Sequence, residues 1–311
     1  MRITVVGLTM LGTSLAMALK GAHEAMAIIG HDPDAERAAR AKRLGAIDRS
    51  AWNLPAACEG SGLIVFDLPL GEMRRTLEAI GDVVAPDAVL VDLVAVKRPV
   101  LAIAQEVLPH SERFVGGHLV RSPRSPLGDE PSADLVRGAT FYLVASPSTS
   151  AEALDVASNL AAAAGAEPRY IDAEEHDGLA AATSQLPVMA AAGVVGAVST
   201  DAGGQERSGA SGGELAALRL ALEANPDAAA LIGNGDNLLY WIDRYVVELQ
   251  RLRRLIAEGD HDGLAAALAR AGETAARWTN DRAVGESSPS RGGGGLRELF
   301  LGTLGRGRPS G

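Results

Sequence analysis

The sequence predicts an α/β fold in which a domain built on a parallel sheet is followed by an all-helical domain. Short apolar runs alternate with helical segments over residues 1–171, which is typical of βαβ units. From residue 172 to 281 the pattern is helical only. A glycine-containing turn directly follows the first apolar run, as it does in nucleotide-binding sheets. We therefore predict a Rossmann-like domain at 1–171, a helical domain at 172–281 and a disordered tail at 282–311.

Apolar, β-branched runs of four to eight residues mark the strands of the first domain. Because such runs show no polar alternation, each strand is expected to be buried on both faces by helices. The predicted strands are 1–8, 25–32, 62–69, 88–94, 139–146 and 168–173. The predicted helices between them are 12–22, 34–44, 71–81, 97–107 and 151–164.

The second domain opens with a capping signal, in which Asp172 is followed three residues later by Glu175. Pro187 lies inside the helix that begins there and is expected to kink it. The uncharged stretch 179–200 is long enough to span a bilayer, but its Ala, Gly and Ser content favours a helix buried inside a protein. Further helices are predicted at 213–223, 226–257 and 262–279.

Composition narrows the class of protein. The formal net charge of −10 over 311 residues argues against nucleic acid as the main partner, since a phosphate-binding surface needs clustered Lys and Arg. A single cysteine, Cys58, fits a reducing cytoplasm. The six histidines show no metal-ligand spacing. We therefore expect a cytoplasmic protein without a nucleic-acid partner, a membrane partner or a metal.

The turn after the first strand keeps two of the three glycines of the pattern G-x-G-x-x-G. Gly7 and Gly12 suit the tight turn and the helix packing, whereas Thr9 stands where a glycine would let the backbone approach a pyrophosphate. The free N–H groups of the helix N-terminus and the Thr9 hydroxyl can still donate to an anion. We therefore predict a dinucleotide site that is weakened by Thr9, with Leu11 as a further candidate contact.

Two acidic residues bear on the choice of cofactor. Asp32 ends the second strand 20 residues after Gly12, where an acid accepts from a ribose 2′-hydroxyl and repels a 2′-phosphate, so NAD is favoured over NADP. Pro69 is a candidate cofactor contact at the end of a later strand. Asp67 in that strand would oppose the pyrophosphate unless it is protonated or paired with a cation such as Lys97 or an arginine. The alternative is a Rossmann-like domain that has lost its cofactor.

Several segments, taken in order, resemble the prephenate/arogenate dehydrogenase family over residues 1–280. The resemblance implies an NAD(P)-dependent oxidoreductase of tyrosine biosynthesis that oxidatively decarboxylates a cyclohexadienyl acid. The segments are GLTMLGTSLAMALK (Gly7–Lys20), GHDPD (Gly30–Asp34), DLVAVK (Asp92–Lys97), GGHLVRSP (Gly116–Pro123), ADLVRGA (Ala133–Ala139) and EEHDGLAAATSQLPV (Glu174–Val188).

The resemblance also implies roles for single residues. His118 would take a proton from the ring hydroxyl while hydride passes to the nicotinamide and carbon dioxide leaves, and imidazole suits that task because its pKa lies near working pH. Lys97 is the second candidate catalytic residue. Arg219 aligns with an arginine that grips a substrate carboxylate. Gln185 and Ser184 are candidate substrate contacts.

The chain departs from the family pattern at several of these positions. Ala95 replaces a serine that would hydrogen-bond the histidine and the substrate hydroxyl, and Gln185 and Val188 replace two histidines. Arg121 adds a cation after the histidine loop. These changes leave open a dehydrogenase with a changed substrate, or a catalytically silent, dimeric nucleotide-binding or scaffold homologue.

The helical domain carries one more histidine of interest and a predicted interface. His176, in the first turn of its helix, is expected to be structural rather than catalytic. In dimeric members of the family the helical domain forms the main interface, so the resemblance implies a homodimer through residues 172–281.

Overall fold

The computed structural model describes most of both predicted domains. Most of the helix predicted at 213–223 and the tail from residue 285 lie outside the described residues. The described residues are 2–22, 26–121, 130–199, 218–219, 221–222 and 227–284.

One eight-stranded sheet forms the centre of the first domain. The strands are β1 (Arg2–Val6), β2 (Ala27–His31), β3 (Arg49–Ser50), β4 (Leu63–Phe66), β5 (Val89–Asp92), β6 (Phe114–Val120), β7 (Thr140–Val144) and β8 (Glu167–Tyr170). Their order across the sheet is β3-β2-β1-β4-β5-β6-β7-β8. The first six strands follow the doubly wound order of nucleotide-binding domains and run parallel. The predicted Rossmann-like fold is thus confirmed.

The sheet is not parallel throughout, contrary to the prediction. β7 runs antiparallel to β6, with Gly116 opposite Val144 and His118 opposite Tyr142. A parallel pair needs a crossover connection, usually a helix. Among the described residues between these strands, the only helical turn is the short 3₁₀ turn Ala133–Leu135. The chain therefore returns as an antiparallel neighbour, and the segment interpreted as a loop around His118 is a strand.

Helices cover both faces of the sheet. The helices of this half are α1 (Met10–Ala22), α2 (Ala35–Arg43), α3 (Leu54–Cys58), α4 (Leu70–Ile80), α5 (Arg98–Val107) and α6 (Ala151–Ala163). Side chains of α1 and α6 bury one face of the sheet, as Leu15 and Leu160 show, and side chains of α4 and α5 bury the other, as Leu77 and Leu101 show. The near-continuous apolar strands are explained by this burial on both sides.

The second domain is helical, as predicted. Its helices are α7 (Ala173–Ala180), α8 (Leu186–Ser199), α9 (Ala228–Gly233), α10 (Gly235–Ala257) and α11 (His261–Val284). Asp172 caps α7 by accepting the Glu175 N–H at 2.7 Å, which confirms the capping signal. The helix predicted at 226–257 is divided at Asn234, whose buried side chain donates to the Asp177 carbonyl and to Gln185.

The irregularity predicted at Pro187 lies one turn earlier in the chain. A π-helical turn, Ala181–Gln185, separates α7 from α8. Pro187 has no N–H to donate to the carbonyl four residues before it, and its ring crowds that carbonyl. Widening the preceding turn relieves the crowding, and such π turns are frequent at functional sites.

α8, which contains most of the apolar stretch, is largely exposed in the single chain, so the burial expected from sequence is not supplied within one chain. Among the described residues, the helical run 173–199 is the one long and apolar enough to cross a membrane by length and composition. Only 17% of its most apolar window is buried within the chain, and in α8 only Ala191 is buried. The single chain does not supply the protein surface that was expected to cover this helix.

Candidate active site

Two glycines close the turn between β1 and α1. Gly7 has φ of +88°, a conformation that strains any other residue. A Cβ on Gly7 would lie 2.0 Å from the Asp67 carbonyl oxygen, and a Cβ on Gly12 would lie 2.5 Å from the Gly7 carbonyl oxygen. Both positions require glycine, because the turn packs directly against the end of β4.

Asp67 places its carboxylate at the N-terminus of α1. Its Oδ2 accepts the Gly12 N–H at 2.6 Å and the Thr9 hydroxyl. Burial raises the pKa of Asp67, while these two hydrogen bonds act in the opposite direction. The Thr9 hydroxyl is therefore directed at the protein's own carboxylate. Of the cations considered as partners of Asp67, Lys97 is engaged elsewhere, because its ammonium pairs with Asp92.

Asp32 lies directly after β2, as predicted, but its carboxylate is already engaged. It accepts the N–H groups of Leu8 and Asp34, each at 2.8 Å. Arg37 of α2 donates to it from Nε and Nη2 at 3.0–3.1 Å. The Asp32 side chain is 1% exposed and that of Arg37 is 47% exposed. A cation that sequence reasoning missed thus covers the acid, and its charge weakens the repulsion expected against a 2′-phosphate.

The remaining cofactor candidates lie at the first turns of α1 and α4. Leu11 is partly exposed in α1, and Pro69 is exposed immediately before α4. These helices follow neighbouring parallel strands, so their N-termini share one edge of the sheet. The Leu70 N–H of α4 donates to Asp227 Oδ2 at 2.6 Å. Both N-termini at this edge therefore contact a carboxylate from a distant part of the chain.

A histidine pair joins the sheet to the helical domain. His118 of β6 approaches His176 of α7, with 2.9 Å between Nδ1 and Nε2. His176 Nδ1 lies 2.9 Å from Asp177 Oδ1. His176 and Asp177 are buried, whereas His118 is partly exposed. His176, interpreted from sequence as structural, therefore contacts the candidate base directly.

The Asp177 carboxylate determines which ring nitrogens of His176 and His118 carry a hydrogen. An ionised Asp177 only accepts, so a neutral His176 carries its hydrogen on Nδ1 and presents Nε2 as an acceptor. His118 must then donate from Nδ1. Its Nε2 is left with a free lone pair and without hydrogen. The arrangement presets His118 as a proton acceptor, in the manner of a histidine oriented by a carboxylate.

The electrostatic surroundings favour neutral His118 and ionised Asp177. Burial lowers the pKa of His118 well below its usual value, and neighbouring His176 and Lys97 act in the same direction. Burial alone would raise the pKa of Asp177, but the hydrogen bond from His176 and those from the Lys97 and Arg98 N–H groups lower it overall. Asp177 is consequently a carboxylate and His118 a neutral imidazole at neutral pH.

A buried ion pair lies beneath the histidines. Lys97 donates from Nζ to Asp92 and to the carbonyl of Gly117, and both charged side chains are fully buried. Burial lowers the pKa of Lys97 and raises that of Asp92, and the charge of each partner opposes the shift of the other. Lys97 thus anchors the residue that precedes His118. Its predicted catalytic role stays a prediction.

A pocket opens beside the histidine pair. Tyr142 faces it and meets the ring of His176 edge-on, with 5.8 Å between centroids. Ser184 lies on its wall, and its contact with substrate stays a prediction. The pocket therefore offers imidazole, phenol and hydroxyl groups together with an apolar wall, which suits a small, oxygenated molecule. Its lining residues in the described part of the chain are His118, Val120, Tyr142, His176, Leu179, Ala180, Thr183 and Ser184.

Two predicted substrate contacts lie elsewhere. Gln185 is buried against α9 and α10, where its oxygen accepts from Asn234 at 2.9 Å and its nitrogen donates to the Ala230 carbonyl at 3.4 Å. Both ends of the amide are engaged within the chain, and the contact of Gln185 with substrate stays a prediction. Arg219 is exposed in a short helical stretch and is not among the described residues that line the pocket.

The fold and the site together define a two-domain, Rossmann-type nucleotide-binding protein with a histidine-lined pocket between sheet and helices. Two family models match the chain: the nucleotide-binding domain of prephenate dehydrogenase over residues 15–169, and its dimerization domain over 172–270. The chain belongs to the prephenate dehydrogenase family.

Relatives and solved structures agree with this assignment. A prephenate dehydrogenase of Bacillus subtilis is 26% identical over 84% of this chain and 72% of its own length. A cyclohexadienyl dehydrogenase of Zymomonas mobilis is 25% identical over 84% of this chain and 90% of its own length. The Aquifex aeolicus prephenate dehydrogenase, solved with hydroxyphenyl propionate and NAD⁺, is 21% identical with a TM-score of 0.77, covering 89% of this chain and 97% of that one. At 21% identity, the similarity to the Aquifex aeolicus structure establishes the fold alone.

Proposed function

We propose that this chain is an NAD-dependent dehydrogenase that oxidises and decarboxylates a cyclohexadienyl acid, prephenate or arogenate, in tyrosine biosynthesis. The observation that carries the proposal is His118, whose Nε2 is freed for proton transfer by the His176–Asp177 pair. β6 pairs with β5 through Phe114 and Val115 only, so His118 extends past the carboxyl end of β5. Ligands of open α/β sheets bind at that edge.

The residues of the first domain fit NAD. The glycine turn closes where a Cβ on Gly7 or Gly12 would meet backbone, and α1 begins at the carboxyl edge of the sheet, where a pyrophosphate binds in this fold. We propose that residues 1–171 hold the cofactor through Gly7, Gly12, the first turn of α1 and the Asp32–Arg37 pair. Bound NAD supplies the hydride acceptor.

The histidines supply the proton chemistry. His118 Nε2 takes the proton of the substrate ring hydroxyl as that carbon loses hydride, so a carbonyl forms, and loss of carbon dioxide then aromatises the ring. The Asp177 carboxylate favours the positive charge that develops on His118, and His176 holds the His118 ring in the tautomer that leaves Nε2 free. We assign His118 as the base and His176 as its positioning residue.

We propose that the helical domain, 172–281, pairs with a second copy of the chain. α8 is apolar and exposed, and α10 exposes further large apolar side chains, among them Leu239, Val247 and Ile256. An apolar groove lies between these helices, lined in part by Leu186 and Tyr240. Burying these faces in a homodimer removes them from water and explains the apolar run without a membrane. We place the protein in the cytoplasm.

Calorimetric titration with NAD and with NADP tests this function first. We expect NAD to bind more tightly than NADP, and the purified protein then to reduce NAD in the presence of prephenate or arogenate. Reduced nicotinamide is followed by absorbance and the aromatic product by chromatography. If folded protein binds neither cofactor, the silent-homologue alternative replaces this proposal. If it binds NAD but oxidises neither acid, this proposal is replaced by a dehydrogenase with a changed substrate or by a silent nucleotide-binding homologue.

Replacing His176 tests the positioning role. His176→Ala is expected to lower kcat about 10- to 100-fold, since His118 loses the hydrogen bond that holds its productive tautomer, and removing one partner of a buried hydrogen bond costs about 1–3 kcal/mol. The substitution also lets water reach His118 and removes a neighbour that disfavours its positive charge. Both changes raise the pKa of His118, so the acid limb of the kcat/KM profile moves to higher pH.

The exposed His110, which contacts Glu112 at 3.3 Å outside the pocket, offers the matched control. His110→Ala should leave both kcat and the pH profile unchanged. A purely structural role for His176 would instead reduce the fraction of active enzyme without moving the acid limb. That result would remove His176 from the mechanism.

A further inference from the structure

Thr9 and Asp67 both depart from the expected nucleotide loop, and the structure shows that they act together. They lie 58 positions apart, yet the Thr9 hydroxyl donates to Asp67 Oδ2. The same oxygen accepts the Gly12 N–H at 2.6 Å. Thus the side chain that replaces the middle glycine does not project freely into the cofactor site. It holds a carboxylate against the first turn of α1.

The Asp67 carboxylate occupies the Gly12 N–H, which is a group that a bound cofactor needs. The N–H groups at the start of a helix that follows a glycine turn bind phosphate oxygens, and the helix dipole favours an anion there. Asp67 Oδ2 is an anionic oxygen in the same place. α1 has no acidic residue of its own in its first turn. Asp67, reaching over from β4, is therefore an internal counterpart of the pyrophosphate.

The charges around Asp67 make its ionised form costly beside a bound pyrophosphate. Asp32 at the end of β2 repels it, and Arg37 of α2 attracts it but is shared with Asp32. Thr9 and the Gly12 N–H complete its surroundings. A pyrophosphate at this turn adds further negative charge within the same small space, whereas a protonated Asp67 is neutral and keeps a hydrogen to donate to a phosphate oxygen.

We propose that Asp67 couples cofactor binding to protonation: NAD binds to the form in which Asp67 carries a proton, so each NAD bound takes up one proton. The inference rests on the proposed NAD-dependent function. Above the pKa of Asp67 in the free protein, the dissociation constant for NAD rises tenfold per pH unit. The raised pKa that burial gives Asp67 brings the required proton closer to neutral pH.

Calorimetry of the full chain between pH 5 and pH 9, in buffers of different ionisation enthalpy, measures both quantities. We expect uptake of about one proton per NAD at the alkaline end, together with the tenfold weakening per pH unit. Asp67→Asn keeps an oxygen that can accept from the Thr9 hydroxyl and the Gly12 N–H, but its amide does not ionise. The variant should bind NAD with a dissociation constant that stays the same across this pH range, and more tightly than the parent at the alkaline end.

Asp48→Asn is the matched control, because Asp48 accepts the Ile28 N–H at 2.7 Å near the opposite end of β2. It should retain the pH dependence of the parent. A parent that binds NAD without proton uptake, or an Asp67→Asn variant that keeps the same pH dependence, overturns this inference alone. Folded parent and Asp67→Asn proteins that both fail to bind NAD at every pH overturn the proposed function, and this inference with it.

Discussion

Replacing His118 with asparagine is expected to lower kcat about 10²- to 10⁴-fold, the contribution typical of a general base. An asparagine amide can still donate to His176 Nε2 from the position of Nδ1, but it has no group in place of Nε2. The variant therefore keeps the buried contact, loses the proton acceptor, and should retain its fold and its affinity for NAD. Steady-state kinetics with prephenate and arogenate, beside calorimetric titration of NAD, separates these effects.

The pH profile of the parent enzyme identifies the same group independently. A base acts only when it is unprotonated, so kcat/KM falls as pH falls through the pKa of His118. Burial lowers that pKa, so the acid limb lies below about pH 6.5, the usual value for histidine. The His118→Asn variant should have a low kcat/KM, and its pH profile should lack the acid limb that His118 produces. A variant with kcat within threefold of the parent, or with the parent's acid limb, would assign the proton transfer to another residue.

The sheet was largely predictable because its signal is local. Strands buried on both faces must be apolar at nearly every position, and this requirement is visible in a run such as LIVF at Leu63–Phe66. The turn at Gly7 was predictable for a related reason, since a positive φ and a close backbone approach both demand glycine. Each of these features depends on a short stretch of chain.

The site was less predictable because its contacts join distant segments. Thr9 meets Asp67, and His118 meets His176, across 58 positions in each case. In the sequence, Asp67 and Thr9 stood out only as two separate departures from a pattern. The adjacent acid at Asp177 was the available signal that His176 has an oriented ring, but a contact with His118 requires knowing that β6 and α7 pack together.

Neighbouring residues can also face opposite sides, which a linear pattern does not show. Ser184 lines the pocket, whereas Gln185 is directed toward Asn234. The π turn Ala181–Gln185 changes the angular spacing of side chains there, so ordinary helical periodicity does not assign their faces. Likewise, Arg37 contacts Asp32 from the next helix, which alters the electrostatics at a position that sequence had interpreted as a bare acid.

The largest effect on stability is expected at Lys97, and a second variant shows whether catalysis needs its ammonium for more than neutralising Asp92. Lys97→Met leaves Asp92 buried without its cation and removes the hydrogen bond to the Gly117 carbonyl. Breaking a fully buried ion pair from one side typically costs about 3–5 kcal/mol. We expect a loss of that size in the free energy of unfolding, measured by urea denaturation followed by circular dichroism.

The double variant Lys97→Met/Asp92→Asn separates the two roles of the lysine. Replacing Asp92 as well should restore much of the lost stability, because the penalty comes chiefly from a buried carboxylate without its cation. Arg74, whose pair with Glu106 is exposed, provides the control, and Arg74→Met should change stability little. If Lys97 matters only by neutralising Asp92, the double variant regains kcat as it regains stability. If stability returns while kcat stays low, the Lys97 ammonium is needed at the site itself, through its hydrogen bond to the Gly117 carbonyl or in the reaction.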